Sequence, residues 1–173
     1  LADDFIIDRP WRIRFIFMSM GWGGSTNLAN AIKISLMIFE DDSGVPAGDP
    51  SGGGDPPVWS VIVSPGSSYV TLYSGPYDTT SNVFINVPLD YTLDPGRYWL
   101  VVTPAMNFSP YGQIGGLQAS TTNGYTAQWI NPGDGFNHGT DWQDWSITSA
   151  TEHDMAFRIE GEAYDVWMPL VTK

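Results

Sequence analysis

Residues 94–103, D-P-G-R-Y-W-L-V-V-T, constrain the fold more tightly than any other stretch, because they join a turn signal to an unbroken strand signal. Pro95 suits the first central position of a reverse turn, and Gly96 supplies the permissive dihedral after it. From there Tyr98, Leu100 and Val102 face one way, while Arg97, Trp99, Val101 and Thr103 face the other. β-Branched and aromatic residues dominate both rows. Such a strand belongs in the body of a sheet, with material packed on each side.

The remaining segments repeat this pattern around it. In residues 11–20 strict alternation places Trp11, Ile13, Phe15 and Phe17 on one face and Arg12, Arg14, Ile16 and Met18 on the other. In residues 31–40 it buries Ile32, Ile34, Leu36 and Ile38 and leaves Lys33, Ser35, Met37 and Phe39 on the second face. Shorter strands are expected at 58–63, 69–73 and 83–87, with Pro88 marking a strand end or an edge position. Two more are expected near 117–119 and 126–130. A last strand over 154–160 turns Met155, Phe157 and Ile159 inward, and Gly161 closes it. No stretch has the period of an amphipathic helix of three turns.

With 19 glycines and 13 prolines among 173 residues, about eight to ten short strands without interleaved helices predict an all-β chain. The expected architecture is a two-sheet antiparallel β-sandwich of jelly-roll type. Its shared core draws on Ile32, Ile34, Leu36, Ile38, Tyr98, Leu100, Val102, Phe157 and Ile159. The predicted organisation is one domain over residues 1–161, followed by an apolar tail over 162–173.

Nineteen acidic residues against seven basic ones give a formal charge of −12. A surface that reads nucleic-acid phosphates would have to overcome that field, so nucleic acid is not an expected partner. The same sign disfavours anionic membranes and favours divalent cations. No run approaches the roughly eighteen apolar residues of a membrane span, so membrane insertion is not expected. With no cysteine, disulfides, thiolate metal sites and cysteine nucleophiles are excluded together.

Several separated strings resemble a widespread domain of bacterial and archaeal secreted and cell-surface proteins. They are A-D-D-F at 2–5 with W-R-I at 11–13, I-F-E-D-D-S-G-V-P at 38–46, L-D-P-G-R-Y-W-L at 93–100, A-Q-W-I-N-P-G-D-G-F at 127–136 and D-M-A-F-R-I-E-G at 154–161. The resemblance spans about residues 2–161. It implies a β-sandwich related to jelly-roll lectin and proprotease-associated modules, located outside the cell or on its surface after removal of a signal peptide. It transfers no catalytic motif.

Asp41 and Asp42, beside Glu40, are candidate oxygen ligands for Ca2+. The competing reading is a hairpin turn in which Asp41 bonds its own backbone. Asp134, Asp141 and Asp144 form a second acidic group. His138 and His153 have no metal-ligand spacing, and no Ser can be tied to a His and an acid, so no enzyme is expected. Trp129, Phe136, Trp142 and Trp145, with Trp22 and Tyr125, lie among Asn, Asp, Gln and Gly, where an indole beside planar polar groups makes a sugar platform. The same residues also suit a satellite core under a long loop.

The tail carries Tyr164, Val166, Trp167, Met168, Leu170 and Val171, too apolar to stay in water without a partner. Docking on its own domain and docking on a neighbouring copy are both open. The first functional expectation is therefore a non-catalytic extracellular structural or surface protein that self-assembles into a filament or layer through this tail. The second is a carbohydrate-binding module that holds glycans on the loop aromatics.

Overall fold

A computed structural model describes residues 1–21, 27–74, 80–112, 114–149 and 153–163. Among the described residues, the twelve strands in chain order are β1 (Ala2–Ile7), β2 (Trp11–Gly21), β3 (Lys33–Asp42), β4 (Val45–Pro46), β5 (Trp59–Val63), β6 (Val70–Ser74), β7 (Thr80–Leu93), β8 (Gly96–Ala105), β9 (Gly115–Gly116), β10 (Gln128–Trp129), β11 (Gln143–Asp144) and β12 (Phe157–Ala163). They form two antiparallel sheets packed as a β-sandwich. The larger runs β11-β10-β1-β8-β3, with β4 and β5 both on β3; the smaller runs β12-β2-β7-β6, with β9 also on β2. The helices α1 (Phe108–Tyr111) and α2 (Ser146–Ser149) are single turns.

β8 lies between β1 and β3, as its two apolar rows require. Its inward residues Tyr98, Leu100 and Val102 join Ile34, Leu36 and Ile38 of β3 in the main core, which Ile16, Met18, Val83 and Ile85 complete from the smaller sheet. Phe157 and Ile159 are half-buried against this core. The opposite row of β8 is covered as well. Trp99 and Val101 form a second buried cluster with Ala2 and Phe39, and Met37 and Trp142 pack against it. The larger sheet thus carries a third layer, built from loops, on its outer side.

Four expectations are corrected. Ile32 is 63% exposed, because it sits on a bend before β3 begins and the alternation does not reach it. Along β2, Ile13, Ile16, Met18 and Met20 are buried, so the inward row changes parity at Arg14. The cause is a β-bulge: Glu160 and Gly161 of β12 pair with Phe15 and Ile13, leaving Arg14 unopposed. Pro88 does not end its strand, which runs on to Leu93; it lies where the β2–β7 register breaks between Asn86 and Tyr91. Gly161 does not close β12 either, since the ladder continues to Ala163 opposite Trp11.

Gly161 is the residue that this bulge requires. A Cβ there would overlap the Arg12 carbonyl and the Trp11 indole nitrogen, and a backbone carbonyl in a ladder has little room to retreat. Gly161→Ala is expected to cost about 1 to 3 kcal/mol through overpacking, measured as a lowered urea midpoint. An unchanged midpoint would show that the bulge relaxes freely.

Candidate functional site

The irregular region after β8 folds back over one end of the sandwich and encloses a cleft of about 550 Å3. Its floor is made by buried residues of the main core: Met18 and Met20 from β2, Val102 from β8, and Trp145 and Met155. Gly115 and Gly116 close one side through their pairing with Gly21 and Met20. Gly116 is compatible with a large floor residue because a Cβ would stand 3.0 Å from the Met155 sulfur. The rim carries Phe108 and Phe136, which are 70% and 52% exposed.

Trp129 forms the wall nearest Phe136. Its indole meets the Phe136 ring edge-on at 5.9 Å and the His138 ring at 5.8 Å. The loop that brings these rings together is held by its own turn bonds. Asp134 donates its amide to the Asn131 carbonyl (2.8 Å), and its Oδ1 accepts the Gly139 amide (2.8 Å). Polar side chains are few in the cleft, with Thr103 and His138 the principal ones. Such a lining solvates apolar groups and offers little to a polyhydroxylated ligand.

A second, shallower hollow of about 260 Å3 adjoins it, with Ile130 as a shared wall. Here Trp142 is fixed by donating its indole N–H to the Gly48 carbonyl (2.9 Å). Asp49, Thr140 and Asp141 line the same hollow. Asp49 Oδ1 accepts the Ser51 amide at 2.6 Å and also the Ser51 hydroxyl. Partial burial opposes ionisation of Asp49, but the donors from Ser51, Gly53 and Gly52 outweigh it and hold the carboxyl below the ordinary carboxylate range.

The aromatic residues singled out in the sequence therefore do not converge on one platform. Trp129 and Trp145 line the cleft, as wall and floor, and Trp142 lines the second hollow. Trp145, only 5% exposed, belongs to the main core. Tyr125 lies on the outer face of the larger sheet, stacked on Trp99 at 6.2 Å with 8° between the rings, and the Arg97 guanidinium lies 4.6 Å from its centroid. Trp22 falls outside the described residues, as do Tyr164, Val166, Trp167, Met168, Leu170 and Val171.

Asp41 accepts the Trp99 indole N–H (2.7 Å) and the Gly44 amide (3.2 Å), so it secures its own turn against the sheet. Asp42 accepts the Ser43 hydroxyl at 3.3 Å, and Asp144 accepts the Ser146 amide at 2.8 Å. Among the described residues no three carboxylate or histidine side chains gather where they would hold a metal ion. Nor is any helix among them long and apolar enough to cross a membrane.

Sequence reasoning missed the cleft floor. The alternation places Met18 in the row with Arg12 and Arg14 and Met155 inward with Phe157 and Ile159, and nothing in their spacing shows that a cavity lies beside them. It also missed the carboxylates near the seam. Asp4 is paired with Arg97 and accepts the Tyr125 amide (2.8 Å), while Asp3 accepts the Met155 amide (2.7 Å). Two adjacent acids in a strand whose other residues are mostly apolar were the available signal. No family model, curated protein or solved structure matches the chain.

Proposed function

We propose that the protein is a non-catalytic binding module whose cleft takes up a small apolar molecule. The carrying observation is the cleft itself: the buried core residues Met18, Met20, Met155 and Trp145 form its floor below exposed Phe108 and Phe136. Its volume of about 550 Å3 lies within the range of roughly 300 to 1,000 Å3 usual for small-molecule sites. Thioethers suit such a floor, since Met adapts to ligand shape without a fixed hydrogen-bond demand. The strings resembling secreted and cell-surface modules support a location outside the cell and a jelly-roll connection of the two sheets.

Titration with 1-octanol, followed by calorimetry and by intrinsic tryptophan emission, is expected to saturate. Phe136→Ala removes a half-exposed ring without opening the core, and it is expected to weaken binding about tenfold with little change in melting temperature. Absence of saturable binding, or equal affinity in the variant, would overturn the assignment of the cleft. Cell fractionation that recovers the protein only from cytosol would overturn the location.

A further inference from the structure

We infer that the ligand is an amphiphile, with its alkyl part in the cleft and a hydroxylated, sugar-like head in the adjoining hollow against Trp142. This rests on the cleft reading above and adds the class of the polar end. The two depressions share Ile130, and the chain passes from one to the other between Asp49, which lines the hollow, and Pro50, which lines the cleft. A single molecule that crosses this shared wall meets an apolar surface on one side and a polar one on the other.

The chemistry of the hollow selects the head. No Lys or Arg lines it, whereas Asp49 and Asp141 do, and the whole chain carries −12. A carboxylate, sulfate or phosphate head would therefore be repelled. Trp142 has its N–H committed to Gly48, so it offers a ring surface rather than a donor, which suits the C–H face of a pyranose. Thr140 both donates and accepts, and Asp141 accepts. Hydroxyl groups also do both, so they satisfy this mixture, whereas an ammonium head only donates. Asp49 Oδ1 already accepts two bonds from Ser51, with the Gly53 and Gly52 amides as further donors to the carboxylate, and one indole is a poor cage for a quaternary cation.

The test uses the full chain and calorimetry with octyl β-glucoside below its micelle concentration, 1-octanol, octyl sulfate and octyltrimethylammonium. Octyl β-glucoside is expected to bind about tenfold more tightly than 1-octanol, the gain of one hydrogen bond to a charged group. Asp141→Asn and Thr140→Ala change exposed side chains and are expected to remove most of that gain while leaving 1-octanol binding unchanged. Equal binding of the glucoside and 1-octanol would overturn the head-group assignment and leave the cleft reading intact. Tightest binding by octyltrimethylammonium or octyl sulfate would overturn the sugar-like head. Saturable binding by none of the alkyl compounds would overturn the cleft reading and this inference with it.

Discussion

Replacing Trp99 by alanine is expected to remove about 3 to 5 kcal/mol of stability, a large share of the roughly 5 to 15 kcal/mol that holds a typical domain together. The ring is completely buried on the outer side of the larger sheet, in the cluster with Ala2, Phe39 and Val101. Its loss opens a cavity, removes the stack under Tyr125, and takes away the indole donor to Asp41. Trp99→Phe keeps most of the packing and loses the donor, so it is expected to cost less, about 1 to 2 kcal/mol. Urea denaturation of both variants measures the difference. A Trp99→Ala cost under about 1 kcal/mol would mean that the loop layer is a loose cover rather than part of the folded unit.

Stability is expected to fall as pH rises from about 4 to about 8, opposite to the usual behaviour of paired carboxylates. Asp3 is 2% exposed. Burial raises its pKa to about 8, with the Met155 amide pulling the other way and the Asp154 charge adding to the rise. The unfolded chain ionises this group near its ordinary value of about 4. Between those values the folded state keeps a proton that the unfolded state has lost. The contribution is therefore full below about pH 4 and is lost as pH rises through the folded value. Burial also raises Asp154, against the donor from Asn123, and its Oδ1 is buried without a hydrogen-bond partner among the described residues. At about 1.4 kcal/mol per pKa unit, the rise of about four units amounts to roughly 6 kcal/mol across the window. Urea midpoints at pH 5 and pH 9 are expected to show the drop, and Asp3→Asn should flatten it. A midpoint that rises with pH would show Asp3 ionised in the fold.

The strand pattern was legible where alternation is local and uninterrupted. β8 can be read residue by residue from 94–103, because the turn residues set its start and both of its faces are packed. β2 was legible as a strand, but its strict alternation fails past Ile13, because a bulge at Arg14 depends on a partner about 150 residues later. The apolar alternation of residues 11–20 contains no mark of that partner. The loops were the least legible part. Trp142 reaches Gly48, Tyr125 reaches Asp4 and Trp99 reaches Asp41, each across dozens of residues, by side-chain bonds that no period announces. For the same reason the sequence named Trp129 and Trp142 as binding candidates without revealing that they line adjoining hollows, or that Trp145 is core.

The nesting of the strands sets a timetable for folding. β1 has no strand beside it until residues 96–101 are present, and β2 gains its outer neighbour only with residues 157–163. Each ladder closes a loop of about a hundred residues or more before its contacts repay the lost chain entropy. Chain released from denaturant is therefore expected to gain compactness well before the native ladders, in milliseconds to seconds rather than microseconds. During that interval the Ile, Phe and Met rows of β2 stand exposed beside an unpaired edge, so refolding yield should decline as protein concentration rises.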